Sequence, residues 1–477
     1  MNNCISIMDK FEVISLNDIT QNGKTFYFGK VNISFIKNLF TISPAKYIKC
    51  TQQISNIQDL DINNSNSIED LDKTFQTLKD NKMQGYQRNI ENSKKISEIS
   101  KYINDKRNYK IIPNSIIFSL QADIVEHKEE IDADAESFIV LRGDIDRLLI
   151  PKRIISKQGE QFKPLLVVDG HHRLLGIKEY YEKEVDAEDI EVLGSFIINH
   201  DNFDEAEIFN TVNYKIKPVN KSFHFQLIGE FGVGSREVIF LHYFTRLMND
   251  DTKSPFHLRF KMLGKKDNSG KYQTLTQSFF VQELLNILFK DKKLRSKINE
   301  INKVLKIPVL RYFVEFDMET RASYILIKYF ISIRQLFIKR YGDTWDKFSY
   351  ENKYNRILQP LGLGAFIELL PSVYMILIYK KNIHLNFAEQ ANLSPTESDF
   401  VSILNPLFSK EFKLLDVIEN HSIGSSQSNI KKLADALWCE VYEDNKDINI
   451  VEIVQQYSEW YNKEVYQIEK KDTINRT

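Results

Sequence analysis

The chain is 477 residues long and carries 64 Lys and Arg against 65 Asp and Glu, a formal net charge of -1. That length fits two or three packed regions rather than one small module. The charge balance excludes a global basic field as the carrier of nucleic-acid binding, so any DNA contact has to come from a local patch.

In chain order, the first elements alternate like paired strands, Phe11 to Leu16 and Thr25 to Val31. Asn22-Gly23 lies between them, a strong hairpin signal because both residues tolerate positive φ. The polar stretch Gln52 to Lys82 is either a solvated connection or an exposed helix. Ile96, Ile99 and Ile103 then fall on one helical face, after Tyr86-Gln87-Arg88. Strands are expected at Ile116 to Leu120, Phe138 to Leu141, Leu165 to Val168 and Val192 to Ile198. Helices are expected after Arg173, with Leu174, Ile177 and Tyr181, and over Asp204 to Asn213. This alternation predicts a mixed α/β domain.

Beyond Ser222 the pattern is mainly helical, with long helices over Gln277 to Lys290, Arg321 to Tyr341 and Ile430 to Tyr442. A hairpin is expected from His257 to Tyr272, turning at Asp267 to Gly270. The most apolar stretch, Leu361 to Tyr379, contains Glu368 and Pro371 and is expected to be a buried helix pair rather than a membrane span. The working division is 1-82, an N-terminal hairpin and polar connection packed on the central domain; 83-230, a central α/β domain; and 231-477, a mainly α-helical C-terminal domain. Cys4, Cys50 and Cys439 match no metal or redox spacing. Met1 to Lys10 has no leader pattern, so a cytoplasmic protein with no membrane partner is expected.

The segment that carries chemistry is Val167 to Ile177 (VVDGHHRLLGI). A strand delivers Asp169 and Gly170 to a tight turn, where glycine permits close backbone approach to a ligand. The helix that follows offers N–H groups and a positive dipole end suited to phosphate. Arg173 adds a fork of donors, and His171 and His172 can donate to an anion or move a proton near neutral pH. Asp169 can cap the helix, orient a histidine or hold a divalent metal. The same residues also suit a plain capped turn with a solvated Arg. A metal site built from Asp169, His171 and His172 with His200 or His224 is disfavoured, because adjacent histidines at such a turn point in different directions.

This segment resembles the signature of the DGQHR-domain proteins, the group that includes DndB of DNA phosphorothioation systems. The family pattern falls on Asp169, Gly170, His171, His172 and Arg173, with His171 in place of the family Gln. The surroundings resemble the family in the same order: Gln21 to Val31 (QNGKTFYFGKV), Tyr86 to Arg88 before Ile96 to Ile103, Ile111 to Leu120, and Ile208 to Ser222. The resemblance spans roughly the first half of the chain.

What it implies is a fold like ParB and sulfiredoxin for the N-terminal and central domain, and a turn that binds a nucleoside triphosphate with Mg. Asp169, His172 and Arg173 would be catalytic if the nucleotide is hydrolysed. Arg88, Gly170, His171, Arg173, Asn213 and Lys217 would meet its phosphates. In sulfiredoxin a catalytic Cys stands at the His171 position, so sulfinic-acid reduction is set aside. DNA and other proteins of a modification or defence system are the implied partners, and a homo-oligomer is compatible with that role.

Lys292, Lys293 and Arg295 sit in a basic run that could meet DNA phosphates or be a solvated helix face. The alternative function is a non-enzymatic DNA-binding transcriptional regulator. The helical half has no Walker-type loop, no nucleophile elbow and no helix-turn-helix pattern.

Overall fold

Asn22 and Gly23 take φ values of 50° and 76° and close the opening hairpin, in the left-handed region that a two-residue turn between twisted strands requires. Strands β1 (Phe11–Gln21) and β2 (Lys24–Asn32) pair across it, with Gln21 opposite Lys24. The computed structural model describes residues 9–43, 60, 65–80, 93–105, 112–156, 164–184, 186–216, 221–232, 234–266, 273–289, 301–345, 353–384, 386, 389–390, 392–421 and 427–465.

The chain is mixed α/β and divides into two units, residues 1–47 with 83–219, and residues 48–82 with 220–477. The first is built on a sheet. After β1 and β2 come β3 (Phe40–Thr41), β4 (Ile116–Leu120), β5 (Ala122–Val125), β6 (Phe138–Leu141), β7 (Asp146–Pro151), β8 (Leu165–Asp169) and β9 (Glu191–Ile198). They form one nine-stranded sheet in the order β3-β8-β4-β9-β2-β1-β7-β6-β5. β4 runs parallel to β9 and antiparallel to β8.

β1 serves two neighbours. Phe11 to Leu16 pair with β7, and Asn17 to Gln21 pair with β2. Where the strand changes partner, Gly29 of β2 lies beneath it: a Cβ there would sit 2.5 Å from the Ser15 carbonyl oxygen. The larger core gathers Phe118, Val140, Leu148, Val167, Leu174 and Ile177, and Phe118 stacks on Phe196.

The longest helices of this unit are α1 (Ser93–Asn104), α2 (His171–Lys183) and α3 (Asn202–Ile216). The Ile96/Ile99/Ile103 face of α1 meets α2 at Gly176, where a Cβ would stand 2.6 Å from Ile99 Cγ2. α3 packs along β8.

The second unit is helical. Its principal helices are α4 (Arg236–Asp250), α5 (Gln277–Leu284), α6 (Glu319–Tyr341), α7 (Pro360–Lys380) and α8 (Gln427–Glu443). Four expectations differ from what is found.

Residues 361–379 form one continuous helix, not a pair. Every residue from Leu361 to Ile378 is buried, which outweighs the roughly 3 kcal/mol that an interior proline such as Pro371 costs. By length and composition α7 could cross a membrane, but its apolar window is entirely buried within the protein.

The expected hairpin is instead a parallel pair, Phe260–Lys261 beside Leu275–Thr276. A parallel pair cannot be joined by a tight turn; the expected turn at 267–270 lies outside the described residues.

Ser65–Asp80 is a helix belonging to the helical unit, with Leu71, Phe75 and Leu78 buried and Phe75 against Phe240 of α4. The expected 1–82 segment therefore joins pieces of two units, residues 1–47 and 48–82, although its end at residue 82 coincides with a unit boundary.

The helix Lys221–Phe231 also joins the helical unit, so the boundary falls near 219 rather than 230. Glu230 accepts a hydrogen bond from Arg246 of α4 at 2.9 Å, and Arg246 also donates to the Leu78 carbonyl.

Candidate functional site

The turn at the end of β8 is shaped before it begins. Phe118 is opposite Val167 and Ile117 is opposite Asp169, so β8 carries one residue more than β4 across this step. Such a bulge bends a strand and re-aims the side chains that follow it.

Gly170 then takes φ 91° and ψ 9°, a left-handed conformation, and serves as the N-cap of α2 without a side-chain cap bond. A Cβ at this position would meet Arg173 Nη2 at 3.0 Å and Ile116 Cγ1 at 3.2 Å. Glycine is required here by both backbone and space. A left-handed residue followed by helical ones turns successive N–H groups toward a common point, a concavity that suits an anion. The dipole of α2 adds positive potential at the same place.

Asp169 does not cap α2. Its Oδ2 accepts a hydrogen bond from Arg173 Nη2 at 3.0 Å, and both side chains are 21% exposed. The bond holds the guanidinium across the start of the helix. Arg173 Nη1 is buried and has no hydrogen-bond partner among the described residues. The His171 imidazole is buried, with its ring centroid 4.2 Å from that of half-buried His172. The His171 side chain is therefore inside the fold, while that of His172 is only partly covered.

Five of the expected site residues, Asp169, Gly170, His171, His172 and Arg173, are thus brought together. Asn213 is in the last turn of α3. β9 ends level with the start of β8, so α3, packed along β8, runs back toward the Asp169 end of the sheet. Arg88, Lys217, Lys292, Lys293 and Arg295 lie outside the described residues.

His200 is held elsewhere: its Nδ1 lies 2.8 Å from Asp204 Oδ2, and this contact keeps the Asp204 carboxyl below the usual carboxylate range. Among the described residues no group of three or more His, Cys, Asp or Glu side chains is placed to hold a metal ion.

Two contributors escaped the sequence reading. Ile116 forms the floor under Gly170, and the bulge at Val168 sets the angle of the turn. Neither leaves a local signal, since both depend on how β4 aligns with β8.

Comparison of the chain with protein-family models, curated proteins and solved structures finds no match.

Proposed function

We propose that the protein binds the phosphates of a nucleoside triphosphate at the Asp169–Arg173 turn, and that this binding governs its association with DNA. The resemblance to DndB-like DGQHR-domain proteins places that activity in a cytoplasmic DNA modification or defence system, with a ParB/sulfiredoxin-like sheet unit.

The observation that carries the reading is Arg173. Its Nη2 is fixed by Asp169, while its buried Nη1 has no partner among the described residues, beside a left-handed glycine at a helix start. A buried donor left unsatisfied costs about 1–3 kcal/mol, and a phosphate oxygen would satisfy it with a charge-assisted bond.

In this account Gly170 lets the backbone close on the phosphate and Arg173 binds an oxygen. His172 is the proton-carrying group within reach. Asp169 positions Arg173. Because that carboxylate is engaged, a magnesium ion would take its ligands from the phosphates and water rather than from a protein cluster. Hydrolysis, where it occurs, acts as a switch for DNA association.

The test is duplex-DNA binding across a salt series, with and without magnesium nucleotide. The proposal expects a nucleotide-dependent change in affinity that Arg173→Ala removes. Salt-dependent DNA binding that ignores both nucleotide and Arg173→Ala would instead favour a plain DNA-binding regulator.

A further inference from the structure

The helical unit contains a cavity of about 430 Å³, within the range of small-molecule sites. Ile287 and Pro308 give it apolar wall, Lys306 and Lys431 give it positive charge, and Glu368 and Gln427 complete the lining used here. Ile287 belongs to a single π-helical turn, Leu285–Phe289, that follows α5. Such turns are rare and recur at binding sites.

The polar end of the cavity is unusual. Glu368 is 2% exposed within the buried stretch Leu361–Ile378 of α7, and Glu283 of α5 is 5% exposed. One amide serves both: Gln427 Nε2 donates to Glu368 Oε1 and to Glu283 Oε2, each at 3.1 Å. The second oxygen of Glu368, Oε2, is buried and has no hydrogen-bond partner among the described residues. Burial raises the pKa of both carboxyls; Lys306 counteracts this at Glu368, and Glu283 adds to it.

A buried acceptor without a donor is costly to keep in a core. Glu368 lines a cavity that also presents two lysines, so a ligand that supplied the missing donor there would be matched by negative charge elsewhere in the same molecule. The apolar patch of Ile287 and Pro308 favours a flat ring over a free amino acid, which would leave that patch uncovered.

We propose that this cavity binds a mononucleotide-sized anion, with an amino-bearing heterocyclic base against Ile287 and Pro308 donating to Glu368, and its phosphate held by Lys306 and Lys431. The site is independent of the Asp169–Arg173 turn and belongs to the other unit of the chain.

The experiment is calorimetric titration of the full chain carrying Arg173→Ala, which weakens phosphate binding at the turn. The titrants are AMP, GMP, CMP, ribose 5-phosphate and inorganic phosphate. At least one amino-bearing nucleotide is expected to bind, with ribose 5-phosphate and phosphate, which carry no base, roughly tenfold weaker or worse, the loss of one charge-assisted hydrogen bond. Adding Lys306→Ala with Lys431→Ala should abolish the binding. Glu368→Gln, which keeps the side chain's shape, should weaken it roughly tenfold. The proposal is overturned if none of the amino-bearing nucleotides binds, if ribose 5-phosphate or phosphate binds equally well, or if the lysine substitutions leave affinity unchanged in a chain whose circular dichroism is unaltered.

Discussion

Arg173 Nη2 donates to Asp169 Oδ2 at 3.0 Å across the left-handed turn at Gly170, so the strand end and the first turn of the following helix are fastened by one half-buried ion pair. The pair orients a guanidinium more than it stabilises a fold. Partly exposed pairs of this kind contribute at most about 1 kcal/mol. A buried Nη1 remains available to an anion.

Arg173→Ala is therefore expected to leave thermal stability nearly unchanged while removing a bond to phosphate worth about 2–3 kcal/mol, a roughly 30- to 150-fold rise in Kd. Arg173→Lys should recover only part of the affinity, because an ammonium cannot reach Asp169 and an anion with the same fixed fork. Parallel melting and nucleotide titration of the two variants separates these effects.

Gly170→Ala should cost about 1–3 kcal/mol, because the new Cβ meets the Arg173 guanidinium and Ile116 and the backbone stays left-handed. The Arg173 side chain can move aside whereas the Ile116 Cα, 3.3 Å away, cannot, so the turn should open and phosphate binding should fall with stability. Chemical denaturation of this variant gives the number; a loss below about 0.5 kcal/mol would mean the turn relaxes freely.

Gly176→Ala tests the fold apart from the site. Alanine is favoured over glycine by up to about 1 kcal/mol in a helix, but here its Cβ would overlap Ile99 and crowd the Ile96 carbonyl. Overpacking costs about 1–3 kcal/mol, so the net effect should be destabilising, and Ile99→Ala in the same chain should relieve part of it. A stabilised Gly176→Ala variant would contradict the α1–α2 contact.

How much of this was legible before the structure depended on range. Asn22-Gly23 announced its hairpin because positive φ is a demand of two residues alone, and Ile96, Ile99 and Ile103 announced a helix face by spacing. The motif at 169–173 likewise sits on one strand-to-helix step, so its residues were assembled as expected. What failed was long-range. Nothing local says that Arg246 reaches the Leu78 carbonyl, 168 residues away, and so joins Ser65–Asp80 to the helical unit. Nor does sequence alone pair Phe260 in parallel with Leu275. In α7, Glu368 and Pro371 looked like interruptions; Gln427 bonds the first and burial of Leu361 to Ile378 tolerates the second.

Glu368 also predicts a pH effect. Burial holds its folded pKa above the ordinary glutamate value, so its favourable contribution is complete below that ordinary value and is lost as pH rises through the elevated one. Glu368→Gln cannot ionise and escapes the loss. The difference in Tm between variant and wild type should therefore grow in the variant's favour from acidic to neutral pH. A constant difference would show that burial does not disfavour the charged carboxylate.

The central claim is that the Asp169–Arg173 turn holds nucleotide phosphates. The most direct test is equilibrium binding of ATP, CTP and GTP with magnesium to the wild-type chain and to Arg173→Ala, each read by competition with inorganic triphosphate so that contacts to base and to phosphate are separated. The account predicts saturable binding by wild type, displacement by triphosphate, and at least a roughly 30-fold weaker affinity in Arg173→Ala. Equal affinity in the two chains, or no binding of any nucleotide to the wild type, would contradict it.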